Sequence, residues 1–291
     1  MKIQRASHFK RGFTLMELMV AMAITTIIVT VLVSITSVAI DTWNRSRSEL
    51  RAARQAKAMV DTMAADFESM VTRRGNVSEW LFAEAKSENG STNAVDLVFF
   101  SAATDRYNGQ IGVTGVDEGG DVSCVGYKLE WKDPIPGSAS TDSTTFVLNR
   151  FLVDPKMTFD TLLGKPEIGS LFSSTYGQDI EKPEYFVCEN VFQFTLTFNI
   201  EVTPAGTSVP ENKLVTVSTS GGVEKFSIKG SGIETTPKNS ILKEGRITAV
   251  GISLTVLSDS AVKVVASKGS DPVWMAKNSY QYSKLIKISS M

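Results

Sequence analysis

Few side chains in this sequence can carry nucleophilic, acid-base or metal chemistry. The single histidine, His8, lies in a basic leader, where Lys2, Arg5, Lys10 and Arg11 stand with no acidic residue among the first 12. Removal of that leader would leave no imidazole, which excludes Ser-His and Cys-His catalysis and any His-ligated metal centre. Two cysteines, Cys124 and Cys188, are too few for a tetrahedral zinc site. They are candidates for one disulfide in an oxidising compartment, worth roughly 4 kcal/mol on the loop-entropy account, or for two free thiols packed as small apolar side chains. Asp117-Glu118-Gly119-Gly120-Asp121 gathers hard oxygen ligands in a tight turn. Asp117, Glu118 and Asp121 are therefore weak candidates for a cation such as calcium, but their spacing lacks the alternation of an EF-hand loop and a hairpin turn is the simpler reading. Ser267-Lys268 and Ser283-Lys284 place a nucleophile beside a base, yet adjacent side chains on a strand point to opposite faces. No spacing singles out a pair of carboxylates. The expectation is a protein that is not an enzyme and needs no cofactor.

The remaining group is Glu17. It stands at the entrance of a run from Leu18 to Ile40 without a charged residue. About 20 such residues at ~1.5 Å each span the ~30 Å core of a bilayer as a helix. A carboxylate carried into that core costs on the order of 2–3 kcal/mol, so it needs a partner. A secretory signal peptide has a shorter apolar region and no acid at its start, although Ser37-Val38-Ala39 imitates a cleavage site.

Lys10-Arg11 followed by Gly12-Phe13-Thr14-Leu15-Met16-Glu17 and the apolar run resembles the signal of type IV pilins and pseudopilins. The resemblance implies cleavage between Gly12 and Phe13 by a prepilin peptidase, which also methylates the new amine of Phe13. It further implies that Glu17 pairs with that amine, of its own or a neighbouring subunit, during filament assembly. A methylated amine stays cationic, so the pair neutralises a charge otherwise stranded in a bundle of low dielectric.

These residues must be held by a long helix. No Gly or Pro occurs between Phe13 and Arg74, so the helix is expected to run to Gly75. Past the apolar run, Trp43, Leu50, Ala53, Ala56, Val60, Met63, Phe67 and Met70 recur at helical spacing and form one apolar stripe. Arg45, Arg47, Arg51, Arg54 and Lys57, with Glu49, Asp61, Asp66 and Glu68, read as a solvated face. The expected divisions are a leader 1–12, a transmembrane segment 13–40, an amphipathic half-helix 41–74 and a body 75–291.

After Gly75 the pattern turns alternating and β-branched. Strands are expected at Val95–Ser101, Val122–Trp131, Thr145–Val153, Phe186–Val202, Leu214–Ser218, Val223–Lys229, Ile247–Leu257, Ala261–Ala266 and Leu285–Ser289. The stretches from Ser138 to Leu152 and from Asp154 to Ile180 carry weak signals and read as an insertion of loops and short elements. Trp274, Tyr280 and Tyr282 are either an aromatic contact surface or core. The fold class is α+β, an antiparallel sheet packed on the outer part of a long helix. The resemblance implies the lollipop form of the pilins, with a periplasmic body on a single-pass inner-membrane anchor. The alternating segments from Asn190 and Ile247, with the arginine-rich helix ending in Asp66-Phe67, look like the J-type minor pseudopilin of type II secretion.

The leader holds four of the 30 basic residues and none of the 31 acidic ones, so the rest of the chain is net acidic. That balance does not favour nucleic acid as a partner. Expected partners are the prepilin peptidase/methyltransferase, other pilin or pseudopilin subunits and inner-membrane lipid. The alternative is a membrane-tethered envelope binding module that joins no filament.

Overall fold

The computed structural model describes residues 14–102, 121–134, 144–204, 209–269 and 271–288. A single helix, α1, spans Leu15–Glu68, 54 residues with neither Gly nor Pro. The chain divides into two compact units, Met1–Ser48 and Glu49–Met291, and the division falls inside α1. The first unit presents its apolar side chains outward along the whole charge-free run. Polar residues fit that run because their hydroxyls donate to the carbonyl four residues back: Thr25 to Ala21 at 2.8 Å, Thr30 to Thr26 at 2.8 Å and Ser34 to Thr30 at 3.0 Å. Hydroxyls bonded in this way present no unpaired donor to lipid. Among the described residues this is the one helix long and apolar enough to cross a membrane.

In the second unit the rest of α1 buries Ala52, Ala56, Met59, Val60, Met63, Ala64 and Phe67. Small residues at the first positions let the helix approach the sheet, and Phe67 stacks on Phe99 with ring centroids 4.6 Å apart. The expected stripe is confirmed from Ala56 onward but not before it. Trp43 is 71% exposed and Leu50 56% exposed, so they do not belong to the core. The helix also stops at Glu68, short of Arg74, with no breaker residue. Tertiary hydrogen bonds end it: Val71 N–H donates to Phe100 O at 2.9 Å and Ala102 N–H to Ser69 O at 2.7 Å. The chain after Glu68 thus pairs with a strand end rather than with its own preceding turn.

Among the described residues, eleven strands form one sheet. They are β1 (Glu79–Glu88), β2 (Ser91–Ser101), β3 (Ser123–Lys132), β4 (Thr145–Leu152), β5 (Phe186–Glu189), β6 (Val191–Val202), β7 (Glu211–Val217), β8 (Lys225–Lys229), β9 (Gly232–Thr236), β10 (Arg246–Leu257) and β11 (Ser279–Lys287). The order β11-β10-β6-β2-β1-β8-β9 forms its spine, β3, β4 and β5 extend from β2, and β7 pairs with β6. All pairs are antiparallel except β2 with β6, which meet in parallel at Ala94 and Phe194. The central strand β6 alternates from Phe192 onward, burying Phe192, Phe194, Leu196, Phe198, Ile200 and Val202, whereas β3 and β4 each begin with five consecutive buried residues.

The 154–180 stretch is a second covering layer. It holds α2 (Pro155–Met157), a π-helical turn at Thr158–Leu162 and α3 (Ile168–Tyr176). Leu162, Ile168, Phe172, Tyr176 and Ile180 pack with Trp80, Val98, Phe100, Cys124, Phe151 and Val153 in a core separate from the one beneath α1. Gly126 and Gly169 permit that contact, since a Cβ would lie 2.2 Å from the Phe172 ring at the first and 2.3 Å from the Phe82 ring at the second.

Several strand expectations need correction. Phe186–Val202 is two strands because Asn190 adopts φ 60°, a conformation that asparagine tolerates. Its side chain fixes the break, accepting from Thr145 Oγ1 at 2.6 Å and donating to Asp259 at 2.8 Å. Ala261–Ala266 is not a strand but parts of α4 (Asp259–Val262) and α5 (Val265–Lys268), which bury Ala261, Val262 and Val265. β1 and β9 were not anticipated; β1 is rich in Ala, Glu and Lys, residues poor in intrinsic strand preference. β11 begins at Ser279, ahead of the expected Leu285, after α6 (Pro272–Asn278). Trp274, Tyr280 and Tyr282 pack partly buried against the core beneath α1.

Candidate functional site

The start of α1 holds the chemically distinct group. Thr14 precedes the helix and Glu17 lies in its first turn, the T-x-x-E spacing of a capping box. Thr14 N–H donates to Glu17 Oε2 at 2.9 Å, the Thr14 hydroxyl donates to the same oxygen at 3.0 Å, and Glu17 N–H donates to Thr14 Oγ1 at 3.2 Å. Two donors that a helix start leaves unpaired are satisfied, and the carboxylate sits at the positive end of the helix dipole. The Thr14 contact was not read from the sequence, although the T-x-x-E signal was present. Oε1 of Glu17 has no partner among the described residues and remains available to a cation. Gly12 and Phe13, the expected cleavage and methylation residues, lie outside the described residues, as does His8.

The other candidates do not assemble into chemistry. Asp117 and Glu118 lie outside the described residues, and Asp121 is exposed. Among the described residues no group of three or more His, Cys, Asp or Glu side chains could hold a metal ion. Cys124 and Cys188 are free and buried, and the expected candidate disulfide is absent. Cys124 packs in the core beneath α3 and Cys188 in the core beneath α1, on opposite faces of the sheet. Burial pushes the Cys188 thiol up to about 12, with the Glu189 carboxylate adding to the effect, and pushes Cys124 still higher. Both are packing residues with no thiolate chemistry near neutral pH. Ser267-Lys268 lies in α5, where Ser267 Oγ donates to Val264 O at 3.0 Å. Lys284 on β11 is drawn away from Ser283 to Asp61 of α1, at 2.8 Å.

Asp66 departs most from expectation. Read as part of a solvated face, it is fully buried. Arg150 of β4 binds it through two bonds, Nε to Oδ2 at 2.8 Å and Nη2 to Oδ1 at 3.0 Å, and the Tyr127 hydroxyl donates to Oδ2. Arg150 Nε also lies 3.0 Å from the Tyr127 oxygen. Two parallel guanidinium bonds and a phenol satisfy a carboxylate that burial alone would make untenable. Nothing in the local spacing reports this, because Asp66, Tyr127 and Arg150 meet only through the sheet. Around this anchor, Arg51 of α1 pairs with Glu189, and Asp61, whose carboxyl the Lys284 hydrogen bond and charge hold below the ordinary range, completes the helix–sheet contacts.

Residues 8–33 match the model of the prokaryotic N-terminal methylation motif. The matched span contains Gly12, Phe13, the Thr14–Glu17 capping box and the charge-free run as far as Val33. No curated protein and no solved structure matches the chain.

Proposed function

We infer that the prepilin-like signal matched at residues 8–33 and the apolar helix that follows it mark a type IV pilin-like prepilin. We propose that the protein is a minor pilin or pseudopilin, a structural and assembly subunit without enzymatic activity. It is inserted in the inner membrane, cut between Gly12 and Phe13, methylated on Phe13 and packed into a short filament through Leu18–Ile40. Its C-terminal body is periplasmic and meets other minor subunits or secreted cargo. The resemblance of the alternating segments from Asn190 and Ile247 and of the arginine-rich helix to the J-type minor pseudopilin supports a place in type II secretion or type IV pilus-like assembly. The observation that carries this reading is the motif match at residues 8–33, with Glu17 at the mouth of a charge-free helix.

The Thr14–Glu17 capping box refines the assembly step. In the precursor, Thr14 occupies Oε2 while Oε1 stays open. A new ammonium at Phe13 can then join the same carboxylate without displacing the cap, so the helix start stays ordered as the charge is neutralised.

Intact-mass and N-terminal peptide analysis of membrane-extracted protein, with and without a co-expressed prepilin peptidase, tests this reading. The expected result is peptidase-dependent loss of residues 1–12 with one added methyl group on Phe13. An intact leader, or cleavage near Ala39, would instead favour the membrane-tethered or secreted binding module. In a complementation assay Glu17→Ala is expected to be cleaved normally yet to lose filament incorporation. Normal incorporation would remove the role given to the carboxylate.

A further inference from the structure

A cavity of about 140 Å³ opens where the chain leaving α1, the β8–β9 turn and the segment entering β10 converge. Its floor is apolar, with Met70, Ile233 and Ile247 buried. Its rim carries Arg73, Arg74, Lys229, Lys243 and Arg246 against one acidic side chain, Glu244. Lys229 is paired with Glu234 at 2.9 Å. Arg73, Arg74, Lys243 and Arg246 form no ion pair among the described residues, and all four are exposed. In a body whose net charge is negative, four uncompensated cations around one opening are a local reversal of sign.

The backbone holds this arrangement firmly. Gly75 N–H donates to Gly230 O at 2.9 Å, and Ile233 N–H donates to Lys243 O at 3.0 Å, joining the three segments. Gly232 has φ +127°, and a Cβ there would lie 2.3 Å from Lys243 O, so only glycine allows the turn and the β10 entry to approach this closely. Arg74 reaches across to Gly245 O at 3.4 Å. The rim cations are thus carried on loops tied to one another rather than on separate mobile segments.

We propose that this cavity is a docking site for an acidic peptide segment of a partner protein, one that places an apolar side chain beside one or more carboxylates. The apolar floor takes the side chain and the rim takes the carboxylates, which guanidinium groups bind in bidentate fashion. A bare inorganic anion fits poorly, because the buried part of the cavity offers it Met70, Ile233 and Ile247. This surface lies in the Glu49–Met291 unit, and the proposal does not depend on the leader being processed.

The test uses detergent-solubilised full-length protein and isothermal titration calorimetry. The probes are a synthetic hexapeptide alternating leucine and glutamate, its leucine–glutamine counterpart, inorganic phosphate, and vesicles containing anionic lipid. Saturable binding of the glutamate peptide is expected, weakening with added salt, and none of the glutamine peptide. The double variant Lys243→Gln/Arg246→Gln is expected to weaken it by about tenfold or more, the equivalent of ~1.4 kcal/mol. The control Lys182→Gln/Lys213→Gln removes two exposed lysines that do not line the cavity and is expected to leave binding unchanged. Circular dichroism confirms that both variants are folded. Equal binding of the two peptides, equal loss in the control, or no peptide binding at low salt would overturn the proposal. Preference for phosphate or for anionic vesicles over the peptide would overturn it as well.

Discussion

Glu17 and Asp66 are both acids on α1, yet their surroundings give them opposite tasks. Glu17 is exposed, caps its own helix through Thr14 and keeps one oxygen open, which suits a group that must find a partner after the chain is made. Asp66 is sealed between Arg150 and Tyr127, which suits a group that fixes a helix to a sheet. Asp66→Ala leaves the Arg150 guanidinium, whose side chain is only 15% exposed, without its counter-charge. The expected loss is about 3–5 kcal/mol of stability, measured by urea denaturation of the solubilised protein. Asp66→Leu with Arg150→Met removes both charges at similar volume and is expected to recover most of that loss. An Asp66→Ala protein as stable as the parent would show that the pair contributes nothing. Asp66 was legible as a charge on a helix but not as a buried one, since its partner lies 84 positions away on β4.

The element least legible in the sequence is the layer from Asp154 to Ile180. Its short helices lack a long periodic signal, and they are held by the sheet they cover. Glu79 at the start of β1 is one such hold, accepting from Gly169 N–H in the first turn of α3 at 3.3 Å. Burial lifts the Glu79 carboxyl above the ordinary range, against the lowering effect of the Gly169 N–H. The folded protein therefore binds this proton more tightly than the unfolded chain does. Its contribution to stability is complete below the ordinary carboxylate pKa and is lost as pH rises through the raised value. Glu79→Gln keeps an acceptor for Gly169 without the buried charge. Thermal melts are expected to show a higher midpoint for Glu79→Gln at neutral pH and no difference in acid. A lower midpoint at neutral pH would mean that the charge itself, at the N-terminus of α3, outweighs its desolvation.

The whole chain divides inside α1, at Ser48, and the second unit buries its own cores without the first. A chain of residues 49–291 is therefore expected to be soluble without detergent and to unfold cooperatively, with a midpoint within a few degrees of the full-length protein. Aggregation of that chain, or a broad melt, would show that the body depends on the preceding helix. The leader motif, the charge-free helix, the lack of imidazole beyond the leader and most strands followed from residue order alone. Each depends on neighbours within a few positions: a run of side chains that lipid accepts, an acid at the mouth of that run after a basic leader, an alternation that suits a sheet face. Register and layering came only from tertiary structure. The division of Phe186–Val202 at Asn190, the early end of α1 at Glu68, the burial of Asp66 and the placement of Cys124 and Cys188 on opposite faces all depend on which distant strands pair. So does the basic rim, whose cations are scattered from Arg73 to Arg246 and meet because three loops are tied by hydrogen bonds between residues far apart in the chain.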